Sequence, residues 1–240
     1  NGNNTTDEGM LLVNLERNSI FSGEDSEIEI GTAPGGYTHV RLIENAVLGS
    51  EDEGFNIDIE DYLGSSDVER SFPDGTYFLT IFNNDIHGGD DESFELRDDR
   101  GTSNSAAFVY VGRNYMADSP DPSEVGVDFD SYSTNGFYLF ERNFIGIGGQ
   151  DSDSAFDASM SSSSLGSLLR LQNNVLSLAN GAGIEMSRQG TQAQVINNTI
   201  AYNGERNSYG VDVSLGEDDN AQIFIANTIV SHSAEADLEP

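Results

Sequence analysis

Several residue types are missing from this chain. Among its 240 residues there is no cysteine, no tryptophan and no lysine. Without cysteine the chain can form neither disulfides nor thiolate metal sites, so packing and backbone pairing must hold it together. Its 10 basic residues, all arginine, stand against 42 acidic ones, and the formal net charge is −32. That balance argues against nucleic-acid binding and against an anionic membrane surface. It favours solubility, cation binding or life in salty water.

Long apolar runs are missing as well. No stretch reaches the roughly 18 apolar residues that a membrane helix needs. The chain shows no secretion signal and does not begin with methionine, which is typical of a mature product or an excised piece. We expect an extracellular or cell-surface location in a marine or salt-adapted microbe. With 36% hydrophobic residues the chain can still build a core.

What the sequence does contain is an internal repeat. A local pattern recurs about every 30 residues around an asparagine, with an apolar residue two positions after it and another three positions before it. The repeated asparagines are Asn18, Asn45, Asn84, Asn114, Asn143, Asn174, Asn198 and Asn227. We interpret this column as a sharp bend whose stacked amides hydrogen-bond from one repeat to the next.

A third element follows each asparagine and reads apolar, polar, apolar. Its polar centres are Glu29, Asn56, Glu95, Asp128, Asp157, Glu185 and Asp212. Alternation with period two predicts strands with one face inward and one outward. Three short strands in a repeat of about 30 residues predict coils that bury their apolar faces by stacking.

We therefore predict an all-β fold, a single right-handed parallel β-helix of about seven coils with an asparagine ladder. Its predicted limits are residues 10–233, between a loose N-terminal segment (1–9) and a loose C-terminal segment (234–240). The pattern resembles the right-handed parallel β-helix superfamily that includes pectate lyases and secreted surface proteins. The strings that carry the resemblance are IFNNDIHGG (81–89), AGIEMS (182–187), VINNTIAYNG (195–204) and IFIANTIVSHS (223–233). It implies a fold more specifically than an activity.

The polar centres form an acidic column on one face of the predicted helix. In the pectate lyases that the chain resembles, carboxylates on the equivalent strand hold Ca²⁺, which bridges to an acidic polysaccharide. The candidate metal ligands here are Glu95, Asp128, Asp130, Asp157, Glu185 and Asp212. Two interpretations stay open: the column associates with Ca²⁺, the only cofactor that we consider, or it is a hydrated surface adapted to salt.

Candidate catalytic residues are few. A lyase needs a base, for which Arg188 and Arg97 are the candidates, although each is also placed to pair with the acidic column. Hydrolases of this fold use grouped aspartates, and Asp128, Asp130 and Asp157 could form such a group. The even acidic column argues against catalysis, because a catalytic site usually interrupts a structural pattern.

The function that we expect is an extracellular structural or adhesive element of a surface protein or fibre, with cations on its acidic face. The alternative is a secreted polysaccharide lyase or glycoside hydrolase acting on an acidic glycan, with a groove framed by the long insertion at 57–77. Expected partners are other copies or neighbouring modules at the open ends of the helix, and polysaccharide. We expect neither nucleic-acid binding nor membrane insertion.

Overall fold

Alternating apolar and polar residues form short strands along the whole of the described chain. The computed structural model describes residues 10–21, 28–32, 36–48, 54–60, 75–87, 92–100, 104–117, 126–146, 154–160, 166–177, 182–188, 192–201, 210–214 and 222–231. These ranges contain 23 strands, numbered here in chain order. The predicted end segments 1–9 and 234–240 and most of the 57–77 insertion lie outside the described residues.

The strands belong to three parallel sheets, one strand per coil in each. Sheet A contains β1 Met10–Glu16, β4 Tyr37–Ile43, β7 Thr76–Phe82, β10 Ala106–Gly112, β13 Gly136–Glu141, β16 Leu168–Gln172, β19 Gln192–Ile196 and β22 Gln222–Ala226. Sheet B contains β2 Ser19–Phe21, β5 Ala46–Leu48, β8 Asp85–His87, β11 Tyr115–Ala117, β14 Phe144–Gly146, β17 Val175–Ser177, β20 Thr199–Ala201 and β23 Ile229–Ser231. Sheet C contains β3 Ile28–Thr32, β6 Phe55–Glu60, β9 Phe94–Asp99, β12 Val127–Ser131, β15 Phe156–Met160, β18 Ile184–Arg188 and β21 Val211–Ser214.

This arrangement is a parallel β-solenoid, and it confirms the predicted fold class. The chain passes from sheet A to B to C and then begins the next coil, so each strand pairs with its counterparts one coil before and one coil after. We call the residues at one register position in successive strands a column. Every pairing is parallel, and each repeat pairs in the same register with the next. Residue types that recur in the sequence therefore form columns in the structure.

The core lies between the three sheets and consists of the inward columns. Sheet A contributes Leu42, Ile81, Val111, Phe140, Leu171 and Val195, all at most 1% exposed. Phenylalanines from sheet C pack against this wall, and Phe140 meets Phe156 edge to face with 5.0 Å between ring centroids. Burying each large apolar side chain stabilises the fold by about 1.5–3 kcal/mol.

The asparagine ladder forms the corner between sheets A and B. In the middle of the solenoid, Asn114 donates from its Nδ2 to the Oδ1 of Asn143 (3.1 Å) and to the carbonyl oxygen of Ile81 (3.0 Å). The backbone N–H of Asn114 also donates to the Oδ1 of Asn143 (3.0 Å). The same bonds link consecutive coils from Asn18 to Asn198. The predicted ladder is therefore confirmed over these seven coils.

The backbone at this corner corrects one expectation. The residue with positive φ is the one before each ladder asparagine, and not the asparagine itself. These preceding residues are Arg17, Glu44, Asn83, Arg113, Arg142, Asn173 and Asn197, with φ between 55° and 58°. The ladder asparagine is selected for its amide, because its side chain must donate and accept between coils.

The last coil corrects the predicted alignment by one residue. Strand pairing sets Val230 beside Ile200 and Ile225 beside Val195, so Thr228 occupies the ladder position and Asn227 precedes it. Asn227 has a φ of 51°, as the residue before the ladder does elsewhere. The predicted frame was wrong here because asparagine suits both positions. Phe224 and Ile229, expected to face the core, are 58% and 62% exposed.

Candidate functional site: the outer face of sheet C

The outer face of sheet C carries the predicted acidic column. Pairing of successive strands aligns its side chains directly: Asn56, Glu95, Asp128, Asp157, Glu185 and Asp212. Stacked strands lie about 4.8 Å apart. Two carboxylates at that distance repel by roughly 0.9 kcal/mol in water and by more where water is excluded. The column is therefore a structural cost unless protons, arginines or cations offset it.

One arginine interrupts the second outward column of this face. The register aligns Asp58, Arg97 and Asp130. Arg97 Nη2 lies 2.8 Å from a carboxylate oxygen of Glu95, and its Nε lies 4.0 Å from Asp130. Burial lowers the pKa of Arg97, but the surrounding carboxylates outweigh burial and raise it above the usual value. Arg97 is thus an ion-pair partner of the column, as the sequence suggested, and a poor base.

The carboxylates next to Arg97 titrate abnormally. Burial, and then the charges of Asp130 and Asp157, raise the pKa of Asp128 to about 6, although Arg97 opposes the shift. Burial also raises the pKa of Asp130, again against Arg97. Protonation and Arg97 are therefore two of the means by which this face lowers its repulsion.

Five of the six predicted metal ligands are stacked in one column, Asp130 lies in the neighbouring column, and the six are not gathered around one point. Among the residues that the structure describes, no group of three or more histidine, cysteine, aspartate or glutamate side chains is arranged to hold a metal ion. Asn56 donates from Nδ2 to Glu95 (2.7 Å), while its buried Oδ1 accepts no hydrogen bond from the described residues. Association of Ca²⁺ with this face remains a prediction.

The other candidate residues lie apart. The register puts Arg188 in the column of Asp98, Ser131 and Met160, which are buried, and not in the acidic column. The side chain of Arg188 and most of the long insertion lie outside the described residues. Arg97 and Arg188 therefore do not belong to one column.

The sequence analysis did not predict a buried polar cluster that lies at the corner between sheets C and A. The side chain of Asp98 points into the solenoid and is fully buried. It accepts two hydrogen bonds from Arg100, whose Nε and Nη2 each lie 2.7 Å from a carboxylate oxygen. Ser133 Oγ donates to Asp98 (2.6 Å), as does the hydroxyl of Tyr138. Burial, and then the charge of Asp98, raise the pKa of Tyr138. The sequence held a signal, since the alternation that turns Glu95 outward turns Asp98 inward.

Comparison with protein-family models, with curated proteins and with solved structures found no match. What the fold and the site define is a class: a repeat protein of the parallel β-solenoid type with an acidic outer face. No helix in the described ranges is long and apolar enough to cross a membrane.

Proposed function

We propose that this protein is an extracellular structural or adhesive element of a surface protein or fibre, which carries cations such as Ca²⁺ on its acidic face. The observation that carries the proposal is the evenness of the solenoid. The acidic column keeps one register from Asn56 to Asp212, so its chemistry is spread along a rod. Spread charge suits a surface that binds ions or neighbours at many points.

The ends of the solenoid support contacts with other copies or neighbouring modules. Strand β1 pairs with β4 on one edge, and within the described residues its other edge has no partner strand. Apolar side chains of the inward columns are exposed in the first and last coils, among them Leu11 (37%) and Ile225 (37%). Unpaired parallel edges accept further strands, so a rod built by end-to-end contact is the assembly that we propose.

Cation association is tested by thermal melting in CaCl₂ against NaCl of equal ionic strength, with EDTA as a control. A Ca²⁺-specific rise in Tm of several degrees is expected, because a ligand of the native state stabilises it. The double variant Asp128→Asn/Asp157→Asn should lose most of that rise. Asp85→Asn is the matched control, since it removes an exposed carboxylate of sheet B. Equal melting in both salts would refute cation association and favour a hydrated, salt-adapted surface.

Assembly is tested separately by sedimentation across a range of protein concentrations. The expected result is a series of elongated species, and Ile225→Glu at the last strand of sheet A should reduce it. A single monomeric species at every concentration would contradict the end-to-end part of the proposal.

The second candidate is a secreted polysaccharide lyase or glycoside hydrolase of the pectate-lyase-like kind, acting on an acidic glycan. The observation that favours it is the pKa of Asp128, raised to about 6, which is near the range of a general acid. Incubation with polygalacturonate, followed by assays for reducing ends and for unsaturated products, tests it. Activity that Asp128→Asn abolishes would establish this candidate, and no product with wild-type protein would exclude it for that substrate.

A further inference from the structure

The outer face of sheet A carries an apolar strip that contrasts with the acidity of the chain. The first column of this strip contains Leu12, His39, Phe78, Phe108, Phe137 and Leu168. The column beside it contains Asn14, Arg41, Thr80, Tyr110, Leu139 and Arg170. Neither column holds an aspartate or a glutamate within the described strands. We call these two columns the apolar strip.

The first column carries a wall of rings, which are in mutual contact from His39 to Phe108. Phe78 stacks on Phe108 with 5.2 Å between centroids and 13° between planes. The rings of Tyr37 and His39, in the preceding coil, contact Phe78 with centroid distances of 5.6 and 6.2 Å. Phe108 is 46% exposed, and a groove of about 330 Å³ runs between this wall and the side of Thr80 and Tyr110. The groove therefore follows the axis of the solenoid.

In the second column, two arginines flank the residues that line the groove, Thr80, Tyr110 and Leu139, without lining it themselves. Arg41 and Arg170 are four coils apart in one column, or about 19 Å at the usual strand spacing. Neither guanidinium forms an ion pair with any residue that the structure describes. The buried Nε of Arg170 also finds no acceptor among those residues. Within the described part of the chain, these two guanidinium groups are therefore donors that an external acceptor could use.

The size and charge of the strip limit what can occupy it. Six coils by two columns cover on the order of 400 Å², well short of the roughly 800 Å² that each partner buries in a stable complex. A second copy of the chain is therefore a poor fit. The net charge of −32 repels a polyanion. A polycation would bind to the carboxylates of sheet C and not to the strip, which has none. An uncharged, linear, amphipathic chain remains.

We propose that the apolar strip binds an uncharged linear polysaccharide, laid along the solenoid axis. Sugar rings offer apolar C–H faces to the aromatic wall, and their hydroxyl and ring oxygens accept hydrogen bonds from Arg41, Arg170, His39 and Thr80. Since the strip spans six coils, contact accumulates with ligand length, and affinity rises from short oligosaccharides to long ones. The inference rests on the proposed adhesive function and identifies the surface and partner class that would serve it.

The test is electrophoresis in native gels that contain hydroxyethylcellulose, galactomannan or xyloglucan, all in EDTA. At least one of these neutral polymers should retard the wild-type protein. Phe108→Ser and Arg170→Gln should each weaken retardation roughly tenfold in the polymer concentration required. Phe21→Ser is the matched control, because Phe21 is 66% exposed on sheet B and lies outside the strip. Circular dichroism verifies that each variant folds, and Arg170→Gln keeps the test valid if Phe108→Ser does not.

Three results would overturn the proposal. One is that none of the three neutral polymers retards the protein. Another is that, in parallel gels with CaCl₂ in place of EDTA, only polygalacturonate retards the protein and Asp128→Asn abolishes the effect, which would assign binding to sheet C. The third is a concentration-dependent dimer that Phe108→Ser dissociates, which would make a second copy the occupant. The gels with neutral polymers contain EDTA and do not depend on assembly of the rod. Failure of polysaccharide binding is therefore distinguishable from failure of cation binding or of end-to-end assembly.

Discussion

Arg100 holds Asp98 in a bidentate ion pair in which neither side chain has any solvent exposure. The pair joins the end of a sheet C strand to the link that begins the next coil, since Arg100 Nη1 also donates to the carbonyl oxygen of Ser105 (2.6 Å). The guanidinium lies 5.6 Å from the ring centre of Tyr77. Every charge in this corner is compensated within the protein, which makes the corner a structural unit.

Removal of one member of that pair should be strongly destabilising. Asp98→Asn leaves the buried guanidinium of Arg100 without its counter-charge, and we expect a loss of about 3–5 kcal/mol in the free energy of unfolding. Chemical denaturation measures it. Asp99→Asn, one residue along on the exposed side of the same strand, is the control and should change stability by less than about 0.5 kcal/mol. Similar effects of the two variants would show that the corner is not a structural unit.

The ladder position of the last coil gives a gain-of-stability prediction. Thr228→Asn should place an amide oxygen where the backbone N–H and Nδ2 of Asn198 can donate to it, as in the earlier coils. We expect a gain of about 1 kcal/mol in denaturant unfolding. Asn227→Ala should instead destabilise, because alanine at a φ of 51° is strained. If Thr228→Asn were neutral while Asn227→Ala broke an inter-coil bond, the original alignment of the repeat would be the right one.

Positive φ before the ladder provides another route to stabilisation. Arg142 has a φ of 58°, and its closest ion-pair contact is 3.7 Å from Glu141. Asparagine tolerates this conformation better than arginine does, so Arg142→Asn should raise the free energy of unfolding by up to about 1 kcal/mol. Arg170→Asn makes the same replacement in an extended strand and should bring no gain. A loss of stability in Arg142→Asn would mean that the guanidinium contributes more than the backbone strain costs.

The acidic face predicts a specific pH dependence. The folded-state pKa of Asp128 is about 6, above its unfolded value of about 3.9, so the folded state binds more protons between these pH values. The contribution of Asp128 to stability is therefore fully present below about pH 4 and is lost as the pH rises through about 6. Asp128→Asn should raise Tm at pH 7.5 and leave it nearly unchanged at pH 4. Equal effects at both pH values would show that charge is not the cause.

The sequence could predict the outer face of sheet C and the inward columns, because these depend on one residue type per coil at constant spacing. It could also have shown the aromatic wall, since Phe78, Phe108 and Phe137 each lie six residues before a ladder asparagine. In other coils the same position holds Leu12, His39 and Leu168, so residue type marks it less clearly than it marks the asparagine. The frame error at Asn227 has the same origin: residue type alone does not separate two adjacent positions that both favour asparagine.

What the sequence by itself determined is periodic: three strands per coil, the parallel solenoid, the ladder from Asn18 to Asn198 and the order of the acidic column. A repeat carries this information because every coil solves the same packing problem. Only the tertiary structure decided the contacts that occur in a single coil and do not repeat. It paired Asp98 with Arg100 and Tyr138, turned Arg97 onto Glu95, and raised the pKa of Asp128. The Tyr138 contact and the effect of Asp157 on Asp128 join residues of different coils. The pairs Asp98–Arg100 and Glu95–Arg97 are each only two residues apart, but their burial is created by the stacking of neighbouring coils, which no single repeat encodes.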